Sequence, residues 1–261
     1  MTTPTNGLSP QALERWLNQL LDSAAFQDYA PNGLQLDGGK NIQRLITGVT
    51  ASKALLEEAI QRQADAVVVH HGWFWKNEPP CIVGAKRDRI ALALKHGISV
   101  FGYHLPLDAH VHLGNNAQLG KRLGLTPEMD DNQQPYRFGP GNLIWSGTCP
   151  ATSLQAFADN LQQQLERQPL VIGAATKTIQ RVAWCTGGAQ GMMQHAIDEG
   201  VDLYITGEAS EQNTHMARES GTAFIAAGHH ATERYGPKAL GDAIADQFQL
   251  SVEFIDIDNP V

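Results

Sequence analysis

Residues 64–71, Ala-Asp-Ala-Val-Val-Val-His-His, constrain the fold more than any other stretch. The run is short, β-branched and apolar at consecutive positions, which describes a strand covered on both faces. Such strands belong to parallel sheets flanked by helices. The surroundings agree. RLITGVTA upstream reads as a buried strand, and Ser52 is placed to cap a helix over KALLEEAIQRQ. RDRIALALKHG downstream reads as a helix leading into a strand over ISVFGYHLPLD. Strand, helix, strand, helix, strand implies βαβ units. The predicted class is α/β, with mostly parallel or mixed sheets flanked by helices. Ser9-Pro10 opens an earlier helix over QALERWLNQLLDSAAF.

The pattern returns near the C-terminus. RVAWCTGGA, GMMQHAIDEG, VDLYITGE, a helix ending in HMARESG, and TAFIAAGHH repeat the order strand, helix, strand, helix, strand, with a glycine turn after the first strand. Thr47–His71 aligns with Ala183–Glu208, Ala59-Ile60 with Ala196-Ile197, and Ala64-Asp65 with Val201-Asp202. HGISVFGYHLPLD likewise parallels SGTAFIAAGHHATE. The alignment predicts a diverged duplication. It gives a first α/β half over 1–125, a connecting segment with a strand and a helix over 126–180, and a second α/β half over 181–261. The two pseudo-repeated halves form one integrated unit around a shared metal site. Residues 126–142, rich in Pro, Gly and polar side chains, read as loop.

Seven of the chain's ten histidines fall in three clusters at predicted strand ends. The first holds His70 and His71, the second His104, His110 and His112 around Asp108, the third His229 and His230 ahead of Glu233. Open α/β sheets gather their sites beyond the carboxyl ends of strands. Neighbouring side chains on a strand point to opposite faces, so His70 and His71 are expected to hold different ions side by side. A helix starting near His229 sets that ring and Glu233 on one face at i, i+4. Imidazole and carboxylate donors suit Zn, Mn, Fe or Ni better than Ca or Mg. Affinity for such an ion is expected to fall as imidazoles protonate near pH ~6.5. His104 and His230 read as residues that orient ligands or line a loop. Trp73 and Trp75 read either as a pocket that stacks a base or as core aromatics. Glu208 ends the strand equivalent to that bearing His71, a candidate general base or ligand-orienting residue. TGGAQG at 186–191 matches no nucleotide-binding glycine motif and reads as a tight turn that could cradle an anion.

Composition narrows the partners. With 19 basic and 27 acidic side chains and a net charge of −8, no general attraction to nucleic acid is expected. The start of the chain lacks the pattern of a signal peptide, and no apolar run is long enough to span a bilayer. Three cysteines without a CxxC pair form neither a disulfide framework nor a zinc ribbon. A cytoplasmic location is expected.

The segments GVTAS, DAVVVHHGWFWK, YHLPLDAH, GNNAQL, VAWCTGG, TGEASEQ and AAGHHATER together resemble the GTP cyclohydrolase I type 2 homologue family, also called NGG-interacting-factor-like, in its short enterobacterial type. The likeness runs from about Tyr29 to the C-terminus. It implies a dinuclear centre of two divalent transition-metal ions per chain, with His71 and Asp108 on one, His70 and His229 on the other, and Glu233 bridging. It also implies a homo-oligomer, a ring-shaped hexamer with its sites facing an internal cavity. The expected activity is metal-dependent hydrolysis of a C–N bond in a nucleotide or related heterocycle, with a link to DNA or nucleotide damage. The alternative is a non-catalytic metal-binding scaffold or adaptor.

Overall fold

The computed structural model describes residues 7–261. Its strands are β1 (Gly33–Leu36), β2 (Arg44–Thr50), β3 (Ala66–His71), β4 (Ser99–Gly102), β5 (Thr126–Pro127) and β6 (Arg137–Phe138). They continue with β7 (Ile144–Ser153), β8 (Leu170–Ile172), β9 (Thr178–Trp184), β10 (Leu203–Thr206), β11 (Ala223–Ala226) and β12 (Ser251–Phe254). The chain divides into two units. One runs to Gly114 and takes in Gly236–Asp258; the other holds Asn115–Tyr235 and Asn259–Val261.

The first unit is built on a five-stranded sheet in the order β1-β4-β3-β2-β12. β4, β3, β2 and β12 run parallel, and β1 lies antiparallel on β4. Alternate residues of the strands serve two cores. Ile46, Val67, Val69 and Val100 pack with Leu55, Leu56 and Ile90. Leu45, Ala66, Val68 and Phe101 pack with Leu13, Leu17, Leu240 and Ile244. That double use explains why the Val-Val-Val run shows no polar alternation. Each such side chain contributes about 1.5–3 kcal/mol by leaving water. The helices start as their caps dictate: Ala12 N–H donates to Ser9 Oγ and Leu55 N–H to Ser52 Oγ, each at 3.2 Å. The strand expected over ISVFGYHLPLD is shorter. It stops at Gly102, and Leu105–Ala109 forms a helical turn with Pro106 in its first positions. Asp108 therefore stands on a helix.

The second unit holds a seven-stranded sheet in the order β5-β7-β9-β10-β11-β8, with β6 also on β7. β9, β10 and β11 are parallel; β7 and β8 flank them antiparallel. Both sheets are thus mixed, with parallel centres. The domain boundaries differ from those expected at 125 and 180. Segment 126–180 is no connector, since β5, β6, β7 and the helix Leu154–Leu165 build the second sheet's side. The helix Tyr235–Phe248 and β12 return to the first unit, where Val252 pairs with Leu45. Nothing local in SVEF announces a parallel partner some two hundred residues upstream. Among the described residues, no helix is long and apolar enough to cross a membrane.

The duplication is visible inside each unit. Asp65 accepts the N–H groups of Gln43 and Arg44 at 2.9 and 3.0 Å; Asp202 accepts those of Gln180 and Arg181 at 3.0 and 2.9 Å. The tripeptide Ile-Gln-Arg stands at 42–44 and again at 179–181. Asp65 C=O accepts from Ser99 N–H, and Asp202 C=O from Ala223 N–H, both at 2.9 Å. Beyond these strands come matching five-residue helical turns, Leu105–Ala109 and His229–Glu233. This register sets Thr47 against Trp184, one residue further than the alignment from Ala183.

Candidate metal centre

In the first unit, β3 delivers His70 and His71 at its carboxyl end, and the turn after β4 delivers His104 and Asp108. The rings of His70 and His71 approach to 4.5 Å between centroids, and His104 lies 5.1 and 5.8 Å from them. One donor atom from each of the three lies within 4.8 Å of the others, so they could hold a metal ion. Strand alternation governs where the Cβ bonds point; at a strand end the long rings still converge. Asp108 Oδ1 stands 3.4 Å from His70 Nε2. The resemblance paired Asp108 with His71; the distance sets it beside His70.

The far nitrogen of each ring is occupied. His70 Nδ1 is 3.0 Å from the Tyr103 carbonyl, which can only accept, so Nδ1 carries the proton and Nε2 the lone pair. His104 Nδ1 donates in the same way to Asp28 Oδ1 at 2.7 Å. His71 Nδ1 lies 3.3 Å from Thr50 Oγ1, its ladder partner on β2. Asp28 is itself fixed by the Leu105 N–H and the Asn32 side-chain amide, both at 2.9 Å. Burial pushes its carboxyl up, but hydrogen bonds from His104, Asn32 and Leu105 outweigh it and bring the group to about 2.

In the second unit, His229 and Glu233 share one face of the turn after β11, with His229 Nε2 3.2 Å from Glu233 Oε2. His229 Nδ1 donates to Glu208 Oε1 at 2.6 Å, and Gln190 holds the other Glu208 oxygen at 3.1 Å. Burial lowers the His229 imidazole, yet the carboxylates of Glu233 and Glu208 raise it to about 9. The glycine turn at 186–191 is part of this cluster. Gly187 adopts φ +69°, and a Cβ there would come within 2.1 Å of Glu233 Oε1. Gly187 N–H donates to Thr232 Oγ1 at 3.0 Å, which ties the turn to the helix carrying both donors. The motif thus makes a tight turn against a carboxylate.

These arrangements fit a divalent metal. His70 Nε2, opposite the Nδ1 held by the Tyr103 carbonyl, faces the Asp108 carboxylate at 3.4 Å, and His229 Nε2 faces Glu233 at 3.2 Å with a proton that a metal ion would displace. The other candidates fall elsewhere. Trp73 is a core residue, packed in the first unit's core, with its indole N–H donating to Ala51 C=O at 2.9 Å. Trp75 is the indole beside the histidines, 5.0 Å from His104 and 5.9 Å from His71. His110 Nδ1 accepts the N–H groups of His112 and Leu113, a turn cap. His230 is buried, and its backbone N–H donates to Val261 C=O at 3.0 Å. Asp28, Thr50 and the Tyr103 carbonyl escaped the sequence reading. Asp28 offered only the signal of an acid beside the Asn32-Gly33 turn.

A family model described as Duf34/NIF3 (NGG1p interacting factor 3) matches residues 9–260. A Neisseria meningitidis protein named GTP cyclohydrolase 1 type 2 homolog is 54% identical over 246 residues, covering 94% of this chain and 96% of that protein. An Escherichia coli protein of the same name is 50% identical over 249 residues, covering 95% and 98%. Among solved structures, one titled protein ybgI, unknown function, aligns with TM-score 0.90 and 47% identity over 97% of this chain and 100% of that one. TTHA1606 from Thermus thermophilus aligns with TM-score 0.83 and 32% identity over 97% and 99%.

Proposed function

The chain belongs to the Duf34/NIF3 family, and from that membership and the two donor clusters we propose that it is a dinuclear metal-dependent hydrolase of a nucleotide or related heterocycle. The carrying observation is the fixed tautomer: carbonyl or carboxylate acceptors on Nδ1 aim Nε2 of His70, His104 and His229 as metal donors. In this reading His70, His71, Asp108, His229 and Glu233 hold two divalent ions, Zn, Mn, Fe or Ni. Each repeat alone offers too few donors for two ions. His104 joins the first cluster. When bound, such ions supply Lewis acidity toward a substrate oxygen and a nucleophile competent at neutral pH. Glu208, with both oxygens engaged by His229 and Gln190, acts here as a positioning residue that keeps the His229 proton on Nδ1. The name shared by the relatives supports a heterocyclic C–N bond as the target, with damaged nucleotides among the substrates to be tried. Family likeness likewise supports a ring-shaped hexamer, which mass photometry would resolve, and a cytoplasmic setting.

The test is hydrolysis by metal-loaded and chelator-stripped protein across nucleotides and cyclic amides. The proposal expects turnover that requires metal and drops at least about 100-fold in His71→Ala, Asp108→Ala and Glu233→Ala. Turnover untouched by those changes overturns the assigned site. Fully metallated protein inactive across the panel favours the metal-binding scaffold instead.

A further inference from the structure

The HHGWFW segment turns sharply after β3, and the turn decides which aromatic side chain meets the histidines. A Cβ at Gly72 would run into the Gln35 side-chain amide, so the close approach of that amide relies on glycine. Its oxygen, Oε1, accepts the Trp73 N–H at 2.6 Å, and the Trp73 ring is committed to the core. Phe74 then takes φ +66°, a left-handed conformation that costs a bulky residue strain. Its N–H is held by the Glu78 carboxylate at 3.1 Å. The reversal sets the half-buried Trp75 ring edge-on to His104, at 82°, and tilted toward His71. The Trp75 indole N–H is anchored on Gly72 C=O at 3.2 Å.

A second aromatic side chain reaches the same imidazole. Tyr29 lies 6.4 Å from His104 at 63°. It is 61% exposed, more than any other aromatic side chain among the described residues. Its backbone is not loose: Tyr29 N–H donates to Asp28 Oδ1 and Tyr29 C=O accepts from Lys76 N–H, both at 2.6 Å. Asp28 is the carboxylate that holds His104, and Lys76 follows Trp75. The two aromatic residues are thus tied to each other's segments and to the same histidine. Core packing accounts for Trp73 and for Phe74, which packs against the same core, but not for the exposed Tyr29 or for the Trp75 ring beside the histidines.

We propose that Trp75 and Tyr29 form an aromatic rim that stacks a planar heterocyclic ring, of the size and character of a nucleobase, beside the His70–His71–His104 cluster. This rests on the hydrolase reading for its substrate class and adds the residues that select it. Stacking on one aromatic side chain is worth about five- to hundredfold in affinity and tolerates any base with a π face.

The experiment is calorimetric titration of metal-loaded, full-length protein with guanosine monophosphate and with ribose 5-phosphate, which lacks the base. Metal content of every variant is measured alongside. The rim predicts that wild type binds the nucleotide at least about tenfold more tightly than the sugar phosphate. Trp75→Ala should lose about tenfold on the nucleotide alone, Trp75→Phe should recover most of it, and Tyr29→Ala should lose a smaller factor in the same selective way. Bound metal should be unchanged throughout. Equal affinity for the two probes, no nucleotide binding by wild type, or full nucleotide binding by Trp75→Ala overturns the rim. Metal loss in Trp75→Ala also overturns it, because the indole is then a prop for the histidines. If wild type holds no pair of ions yet shows the selective Trp75 effect, the rim stands and the dinuclear reading fails.

Discussion

His229 stands between two carboxylates, Glu208 on Nδ1 and Glu233 on Nε2, and its pKa rises to about 9. The folded value lies above the ordinary 6.5. In metal-stripped protein these ion pairs therefore contribute stability that is full below about pH 6.5 and lost as pH rises through about 9. A metal must displace that proton. The competition expected near pH ~6.5 for ordinary histidines thus extends upward, and affinity should keep climbing from neutral pH to about 9. Titration with Mn²⁺ or Zn²⁺ across that range would show it. A plateau already at neutral pH would contradict the paired carboxylates, and His229→Gln should remove the rise. The donors themselves were legible as HH, HLPLD and HHATE because they cluster in sequence. Their supports were not. Asp28, Thr50 and the Tyr103 carbonyl act across gaps of 76, 21 and 33 residues, and nothing local marks them.

At the scale of elements, the repeated unit is a strand pair whose start is locked by one aspartate. Asp65 and Asp202 each accept two backbone N–H groups at the base of a parallel strand. Replacing either with Ala strands those donors and should cost about 1–3 kcal/mol, read from the urea midpoint. Asp65→Asn and Asp202→Asn should retain part of that, since the amide oxygen still accepts. Equal stability of wild type and both Ala variants would reject the lock. Periodicity revealed the central strands and helices here, and the alignment paired Asp65 with Asp202. One strand end differs: HLPLD, expected to continue its strand, folds as a helical turn after β4 stops, whereas the helix expected from near His229 forms over His229–Glu233. An apolar run of that length does not separate the two. Trp73 and Trp75 were likewise indistinguishable until the positive φ of Phe74 sent them to different places.

For the whole molecule, chain order and spatial order differ. The first unit is interrupted after Gly114 and completed by Gly236–Asp258. Cutting the chain at 125 and 180 would therefore deprive the first sheet of β12 and the second of β5 and β7. Isolated halves are poor reagents, and the full chain must carry the test. The sequence disclosed the α/β class and the repeat, but not this interleaving, because parallel pairing of distant strands leaves no local trace. The proposed dinuclear centre needs His70, His71, Asp108, His229 and Glu233 to hold two ions. Elemental analysis of metal-saturated wild type and of His70→Ala, Asp108→Ala and Glu233→Ala tests it directly. About two transition-metal ions per chain are expected in wild type, with a clear loss in each variant. One tight ion per chain, unchanged by His70→Ala, would contradict the dinuclear centre.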